Sequence, residues 1–236
     1  MIPDYNSNNP FVANFGEVDA YLLGLVMADG CVVYQNGCYR MSIALNIKDR
    51  DILDKLHKHY KKGSLCEYTD NSGYKEQTRL FWTVYDHNIV HGLMYFEIEP
   101  RKTCLEVLPS IPIDLMPHFL RGFFDGDGYV MAKYSEKYSR NIHRMGFALN
   151  RKIGEDINRL LERELDIKPK KIRPNGKSKE SFLLEWSGVK DLKKLYEYMY
   201  NNSTIYLDRK KKIFDKLYSG LIEKGDKYHY RMFEED

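Results

Sequence analysis

The chain has 236 residues, 37 of them Lys or Arg and 34 Asp or Glu, for a formal net charge of +3. Hydrophobic residues make up 43% and charged residues 30%, which supports a packed core and excludes a chain dominated by disorder. At about 150 residues per domain the length suits one large domain or two small ones, and the longest uncharged apolar run, Ala20 to Ala28, is too short to cross a bilayer.

The opening segment MIPDYNSNNP has neither a basic stretch nor an apolar stretch of the kind a secretory signal needs. Cys31, Cys38, Cys66 and Cys104 show no CxxC spacing, which speaks against a zinc site and for reduced, buried thiols. An intracellular protein, cytoplasmic or organellar and not secreted, is therefore expected. Residues 1–112 carry 11 basic and 14 acidic side chains (net −3), and residues 113–236 carry 26 and 20 (net +6). A polyanionic partner would have to be met by local placement of Lys and Arg rather than by bulk charge.

The first expected element is a helix ending in Asp29-Gly30, with Tyr21, Gly24, Leu25 and Ala28 on one face and Gly30 as its C-terminal glycine. Strands follow near 31–36 and 39–48. In the second, Met41, Ile43, Leu45 and Ile47 alternate with Arg40, Ser42, Ala44, Asn46 and Lys48, so one face is core and the other polar. A helix over 49–60 turns Ile52, Leu53 and Leu56 inward. Strands near 64–68 and 79–85 come next, the latter with Thr78, Arg79 and Thr83 on one side and Leu80, Trp82 and Val84 on the other. A helix near 87–95 ends the unit, and residues 111–114 connect it to a second one.

The second unit repeats the first. Tyr21 to Gly30 (YLLGLVMADG) matches Phe119 to Gly128 (FLRGFFDGDG), 98 residues on. Arg40 to Lys48 resembles Arg144 to Lys152 at an offset of 104, the same offset that separates Trp82 from Trp186. Arg101-Lys102 matches Arg209-Lys210 at 108. Four matches in one order predict two copies of a unit, residues 1–112 and 113–236. The second copy should hold strands near 129–134 and 143–151, a helix over 154–165, strands near 169–174 and 181–187, and helices near 189–200 and 205–219.

Each motif helix has a glycine before its final Asp-Gly, Gly24 and Gly122, where small residues let two helix backbones approach closely. If the two helices pack in parallel through these glycines, Asp29 and Asp127 emerge together. Carboxylates at two negative helix ends are unfavourable by some tenths of a kcal/mol each and call for a counter-charge. A divalent hard cation supplies it, and such an ion activates water for displacement at phosphorus. The residues thus point to a metal-dependent phosphodiesterase centre; the plainer reading is a helix pair whose acids are solvated.

The motifs LLGLVMADG and LRGFFDGDG resemble those of the LAGLIDADG homing endonucleases, as does Pro100-Arg-Lys-Thr103 ahead of Leu108-Pro109, and the resemblance runs from about Glu17 to Leu221. It implies an α+β fold of two pseudo-twofold-related αββαββα units, whose antiparallel, saddle-shaped sheets are packed through two parallel motif helices. It implies a single-chain, monomeric enzyme that cuts both strands of a long, imperfectly palindromic double-stranded DNA target, leaves 3′ overhangs and serves intron homing. Asp29 and Asp127, with Ala28 and Gly126 beside them, would hold Mg²⁺, with Mn²⁺ or Ca²⁺ able to occupy the site. Lys102 and, by the repeat, Lys210 or Lys211 would be the central lysines. Met27, where the second copy has Asp125, departs from the motif name at a position that is not a metal ligand in the family, which makes Asp125 a cap or structural residue.

On this reading the polar strand faces meet DNA. Arg40, Ser42, Asn46 and Lys48, with Arg144, Asn150 and Lys152, project from one side of their sheets, and Tyr34, Arg79, Thr83, Lys133 and Ser181 are expected on the same sides. Arg reads guanine and Asn reads adenine in the major groove, while Lys neutralises phosphate. Taken alone, such a face is an ordinary solvated sheet surface. The alternative function is a protein of the same scaffold without cleavage, an RNA-splicing maturase that meets intron RNA or a transcription regulator. A self-splicing intein is disfavoured, because the chain starts with Met and ends Glu-Glu-Asp, without the Cys or Ser start and His-Asn end of that chemistry.

Overall fold

The computed structural model describes residues 8–70, 76–98, 107–135 and 140–224. Two units form, one of residues 1–126 with 203–207, the other of residues 127–202 with 208–236. The division does not follow the repeat, for the second motif helix lies in the first unit up to Gly126.

The first unit opens on a short helix α1 (Pro10–Ala13), begun by the Asn9 side chain, which accepts from Phe11 N–H at 2.8 Å. Helix α2 (Glu17–Asp29) carries the first motif. Every residue from Ala20 to Met27 is buried, so the helix is covered on all sides and not along one face, as its unbroken apolar run allows. Gly30 is extended (φ −93°) and no left-handed cap; a Cβ there would lie 2.7 Å from Val26 Cα, so closeness is what demands glycine.

Strands β1 (Gly30–Gln35) and β2 (Cys38–Asn46) are joined by Asn36-Gly37, both at positive φ, as a tight two-residue hairpin requires. β2 stops before the expected Lys48, because Asn46 accepts from Lys48 N–H and starts a 3-10 turn over Ile47–Asp49. Helix α3 (Arg50–Tyr60) follows, with Ile52, Leu53 and Leu56 buried. Strands β3 (Ser64–Asp70) and β4 (Gln77–Val84) complete an antiparallel sheet of order β1-β2-β4-β3, and α4 (His87–Tyr95) follows, capped by the Asp86 carboxylate. Strand alternation puts Thr78 with Leu80, Trp82 and Val84, opposite Arg79 and Thr83, which corrects the grouping of Thr78 with Arg79. Helix α5 (Met116–Asp127) carries the second motif.

The second unit repeats the sheet with β5 (Gly128–Ser135), β6 (Arg140–Leu149), β7 (Arg173–Pro174) and β8 (Phe182–Trp186), in the order β5-β6-β8-β7. Helix α6 (Arg151–Leu165) starts earlier than its apolar pattern predicts, because Asn150 accepts from Ile153 N–H at 2.9 Å and caps it. Helices α7 (Val189–Tyr200) and α8 (Asp208–Lys224) close the unit. Trp186 packs edge-on to Phe147, with Leu184, Leu160 and Leu161 also buried.

The registers of the two sheets differ. Trp82 lies opposite Ile43, but Trp186 lies opposite Met145, the counterpart of Met41. The tryptophans that match in sequence are therefore two residues apart in sheet position. β7 is also reduced to two residues, where β3 has seven. Among the described residues no helix is long and apolar enough to cross a membrane.

Candidate nucleic-acid and metal site

In the first unit the motif helices α2 and α5 touch backbone to backbone. A Cβ on Gly24 would lie 2.1 Å from Phe119 O, and one on Gly122 would lie 2.0 Å from Tyr21 O. Both distances are far inside van der Waals contact, so no side chain fits at either position. The contact continues to the helix ends, where a Cβ on Gly126 would meet Ala28 Cβ at 2.3 Å and Asp29 Oδ2 at 3.0 Å.

A buried polar network fastens this pair to residues 203–207. Tyr21 donates to Asp125 Oδ2 at 2.6 Å, and the same oxygen accepts from Leu207 N–H at 2.8 Å. Arg121, fully buried, donates from Nε to Ile205 O (2.7 Å) and from a terminal nitrogen to Glu17 Oε1 (2.8 Å). Glu17 also accepts from Thr204 N–H and Oγ1–H. Burial alone would raise the Glu17 carboxyl, but the Thr204 hydrogen bonds and the Arg121 charge outweigh it and hold the carboxyl below its ordinary value. Asp125 thus acts as a buried tie. Sequence reading missed Glu17, Tyr21, Arg121 and Thr204 as its companions. The available signal was two polar residues, Arg121 and Asp125, where the first copy has Leu23 and Met27.

Asp29 ends α2 and is exposed; Asp127 ends α5 and is half-buried. Asp127 stands in the chain between Gly126, which abuts Asp29 within the first unit, and Gly128, which begins β5 in the second. In that second unit the Lys210 ammonium donates to Gly128 O at 2.6 Å, and Lys210 is only 6% exposed. Lys211 instead pairs with both oxygens of Asp215 at 2.8 Å. Lys102 lies outside the described residues. Among the described residues no group of three or more His, Cys, Asp or Glu gathers into a metal cluster. Within the first unit the Asp29 carboxylate and the last-turn carbonyls of Ala28 and Gly126 are oxygen donors, the type a hard divalent ion prefers.

On the first sheet, cross-strand pairing puts Arg40 opposite Val33, Ser42 between Cys31 and Thr83, and Asn46 opposite Arg79, all on the face away from Met41, Ile43 and Leu45. Tyr34 pairs with Tyr39, in step with the buried Val32–Met41 pair, so it belongs to the opposite face although its position at the sheet end leaves it exposed. That corrects its grouping with Arg40. Lys48 sits in the 3-10 turn beyond the strand, and the oxygens of Asn46 and Asn150 both cap helical turns.

On the second sheet, Lys133 lies opposite Ile142, on the same face as Arg144. Arg144 pairs with Glu185 Oε1 at 3.2 Å, which also accepts from the Tyr129 hydroxyl. Burial and this carboxylate push the Tyr129 phenol upward. Lys152 bonds Asp156 on its own helix, and Ser181, one residue before β8, accepts from Asn175. Cys31, Cys38 and Cys66 are exposed, not buried as their spacing suggested, because they alternate onto the open strand face or sit at a hairpin end.

Residues 114–200 match the LAGLIDADG-like domain family, while no curated protein matches the chain. Among solved structures, the LAGLIDADG homing endonuclease I-GzeII in complex with its DNA target is 12% identical, over 87% of this chain and 91% of that one, with a TM-score of 0.61. The LAGLIDADG meganuclease I-CpaMI bound to uncleaved DNA is 14% identical over 87% and 92%, with a TM-score of 0.57. Full-length DUF199/WhiA from Thermatoga maritima is 17% identical over 86% of this chain and 60% of that one, with a TM-score of 0.52. The doubled four-stranded sheet thus has the fold of these LAGLIDADG structures, and residues 114–200, which hold the second motif, match the LAGLIDADG-like domain.

Proposed function

We propose that this protein is a site-specific endonuclease that hydrolyses both strands of a long, imperfectly palindromic DNA target with a divalent metal ion, leaving 3′ overhangs. The observation that carries the reading is the close approach of α5 to the end of α2, where Gly126 abuts Asp29 Oδ2, together with the Lys210 ammonium on Gly128 O. Asp127 is the residue between those two glycines. Asp29 and Asp127 hold the cation, Mg²⁺ by preference with Mn²⁺ or Ca²⁺ as substitutes, beside the carbonyls of Ala28 and Gly126. When bound, such an ion lowers the pKa of a water and offsets charge on the leaving oxygen. Lys210 adds a fixed positive charge that favours the phosphorane, and Lys102 is its counterpart by the repeat.

Arg40, Ser42, Asn46, Arg79 and Thr83, on the open face of the first sheet, read one half-site in this proposal, and Lys133 and Arg144, on that of the second, read the other. Lys48, Asn150, Lys152 and Ser181 stand at the ends of those strands, where phosphate contact is the natural use. Ile47 against Arg151 and Ser42 against Gly146 make the copies unlike, hence the imperfect palindrome. One chain carries both copies, so a monomer suffices.

Incubation with a randomised duplex library, in Mg²⁺ and in EDTA, tests the whole reading. Cut products from one class of site, absent in EDTA, are expected. Retention of one duplex class without any cut identifies the non-cleaving DNA-binding alternative, and indifference to DNA sinks both.

A further inference from the structure

The edge of the second sheet is built unlike that of the first. In the first, β3 runs on to Leu65 and Ser64, opposite Trp82 and Thr83. In the second, β7 pairs only with Leu183 and Phe182, so the ladder ends before Leu184 and Glu185, which hold the sheet positions of Trp82 and Thr83. A cleft of about 330 Å³ opens there. Four cations line it, Arg144, Lys170, Lys171 and Arg173, against two acids, Glu185 and Asp191.

The cleft is held in shape. Asn158, nearly buried on α6, donates to Lys170 O (2.8 Å) and accepts from Lys170 N–H (2.9 Å), fixing the backbone of the segment that carries Lys170 and Lys171. Lys194 caps α6 through Leu165 O at 2.7 Å, which anchors the segment's other end. Two of the cations are matched within the cleft, Arg144 by Glu185 and Lys170 by Asp191. Lys171 and Arg173 are exposed, and neither side chain makes an ion pair or hydrogen bond among the described residues. Gly188 stands at the same rim as the N-cap of α7 and offers no side-chain cap. Two unmatched cations lining such a cleft form a receptor for a phosphate-type anion.

We infer that this cleft grips one backbone phosphate of the duplex beside the half-site read by the second sheet. The inference rests on the endonuclease reading, because Arg144 and Glu185 belong both to the cleft and to the open face of that sheet. Such a contact fixes register without reading sequence.

The test is binding of the selected duplex in Ca²⁺ at a series of salt concentrations. Lys171→Ala with Arg173→Ala should lower the slope of log affinity against log salt by about 1, which is about 4-fold in affinity between 50 and 200 mM salt. The selected sequence and cut positions should not change. Lys171→Ala alone leaves β7 untouched and should lower the slope by part of that amount. Lys58→Ala, exposed on α3, should leave it unchanged. An unaltered slope in the double variant, or an equal fall in Lys58→Ala, overturns the cleft while leaving the endonuclease reading in place. So does a response to inorganic phosphate that is lost in Lys171→Ala while the DNA slope stays constant, for that is a free-anion site. Failure of the wild type to bind any duplex sinks the endonuclease reading itself, and the cleft's role with it.

Discussion

Leu23 and Met27 in α2 stand where α5 has Arg121 and Asp125, and all four are at most 4% exposed. The first copy fills these positions with apolar volume. The second fills them with charge: Arg121 donates to Ile205 O and Glu17, and Asp125 Oδ2 accepts from Tyr21 and Leu207 N–H. Burial of a carboxylate and a guanidinium is costly, and hydrogen bonds such as these offset part of the cost. What the second helix gains is a fixed address for the segment that leads into α8, which carries Lys210. A duplicated helix has thus been kept for closeness in one copy and given an added tethering duty in the other.

The largest effect should come from the residues at which the copies are the same. Asp29→Asn and Asp127→Asn should each reduce cleavage of the selected duplex by at least about 100-fold, since each removes a carboxylate proposed to hold the cation that would offset charge at the reacting phosphate. Binding in Ca²⁺-free buffer should persist in both. Single-turnover assays on each strand decide it: a large loss in one variant and full activity in the other would mean that only one copy remains catalytic.

The shared glycines come next. Gly122→Leu and Gly24→Leu force a side chain against a carbonyl that lies about 2 Å from the Cβ position, Tyr21 O in one case and Phe119 O in the other. Since the obstacle is backbone, the helices must separate, at a cost of about 1–3 kcal/mol or more. The two losses should be similar, because the approach is reciprocal. An unchanged Tm for either variant would contradict the packing.

The unlike positions sharpen the contrast. Asp125→Met makes α5 resemble α2 but strands the Tyr21 hydroxyl and Leu207 N–H, costing about 1–3 kcal/mol. Met27→Leu, a volume-conserving apolar change, should cost under about 1.5 kcal/mol. Denaturant titrations of the two would reveal equal losses if the polar tie contributed nothing.

Sequence carried a good part of this fold. Period-two alternation at Met41, Ile43 and Leu45 marked β2, and the glycines before each Asp-Gly marked the helix contact. The same alternation continued through Ile47 and hid the turn that Asn46 starts, since a cap competes locally with strand pairing. The shift between Trp82 and Trp186 was invisible for a related reason: a slip of two residues leaves every side chain on its original face. The short β7 reflects Pro169 and Pro174 flanking a charged stretch, which limits ladder hydrogen bonds. The Arg121–Asp125 network joins residues 82 to 187 positions apart, beyond any local pattern. The motif acids stood out because they recur; the basic cleft did not, because it belongs to one copy only.

The smallest expected effect is a pH dependence that separates the polar helix from the apolar one. His118, on α5, meets Arg121 through Nδ1 at 2.9 Å. A guanidinium only donates, so this nitrogen must accept, and the neutral ring is the form that fits. Burial, followed by the Arg121 charge, holds the imidazole below its ordinary value, against opposing pulls from Glu17 and Asp114. A histidine depressed in the folded state binds fewer protons than it does unfolded. Its contribution is therefore complete above its unfolded value near 6.5 and is lost as pH falls below it. Glu17, also depressed, adds a second loss at lower pH, below the ordinary carboxylate value. Melting temperature should thus fall between pH 7 and pH 5, and His118→Gln, whose amide oxygen can still accept from Arg121, should flatten that part of the curve while leaving the loss below pH 4.5 in place. An identical slope in both proteins would mean that the ring is solvated in either protonation state and that α5 owes its position to Arg121 and Asp125 alone.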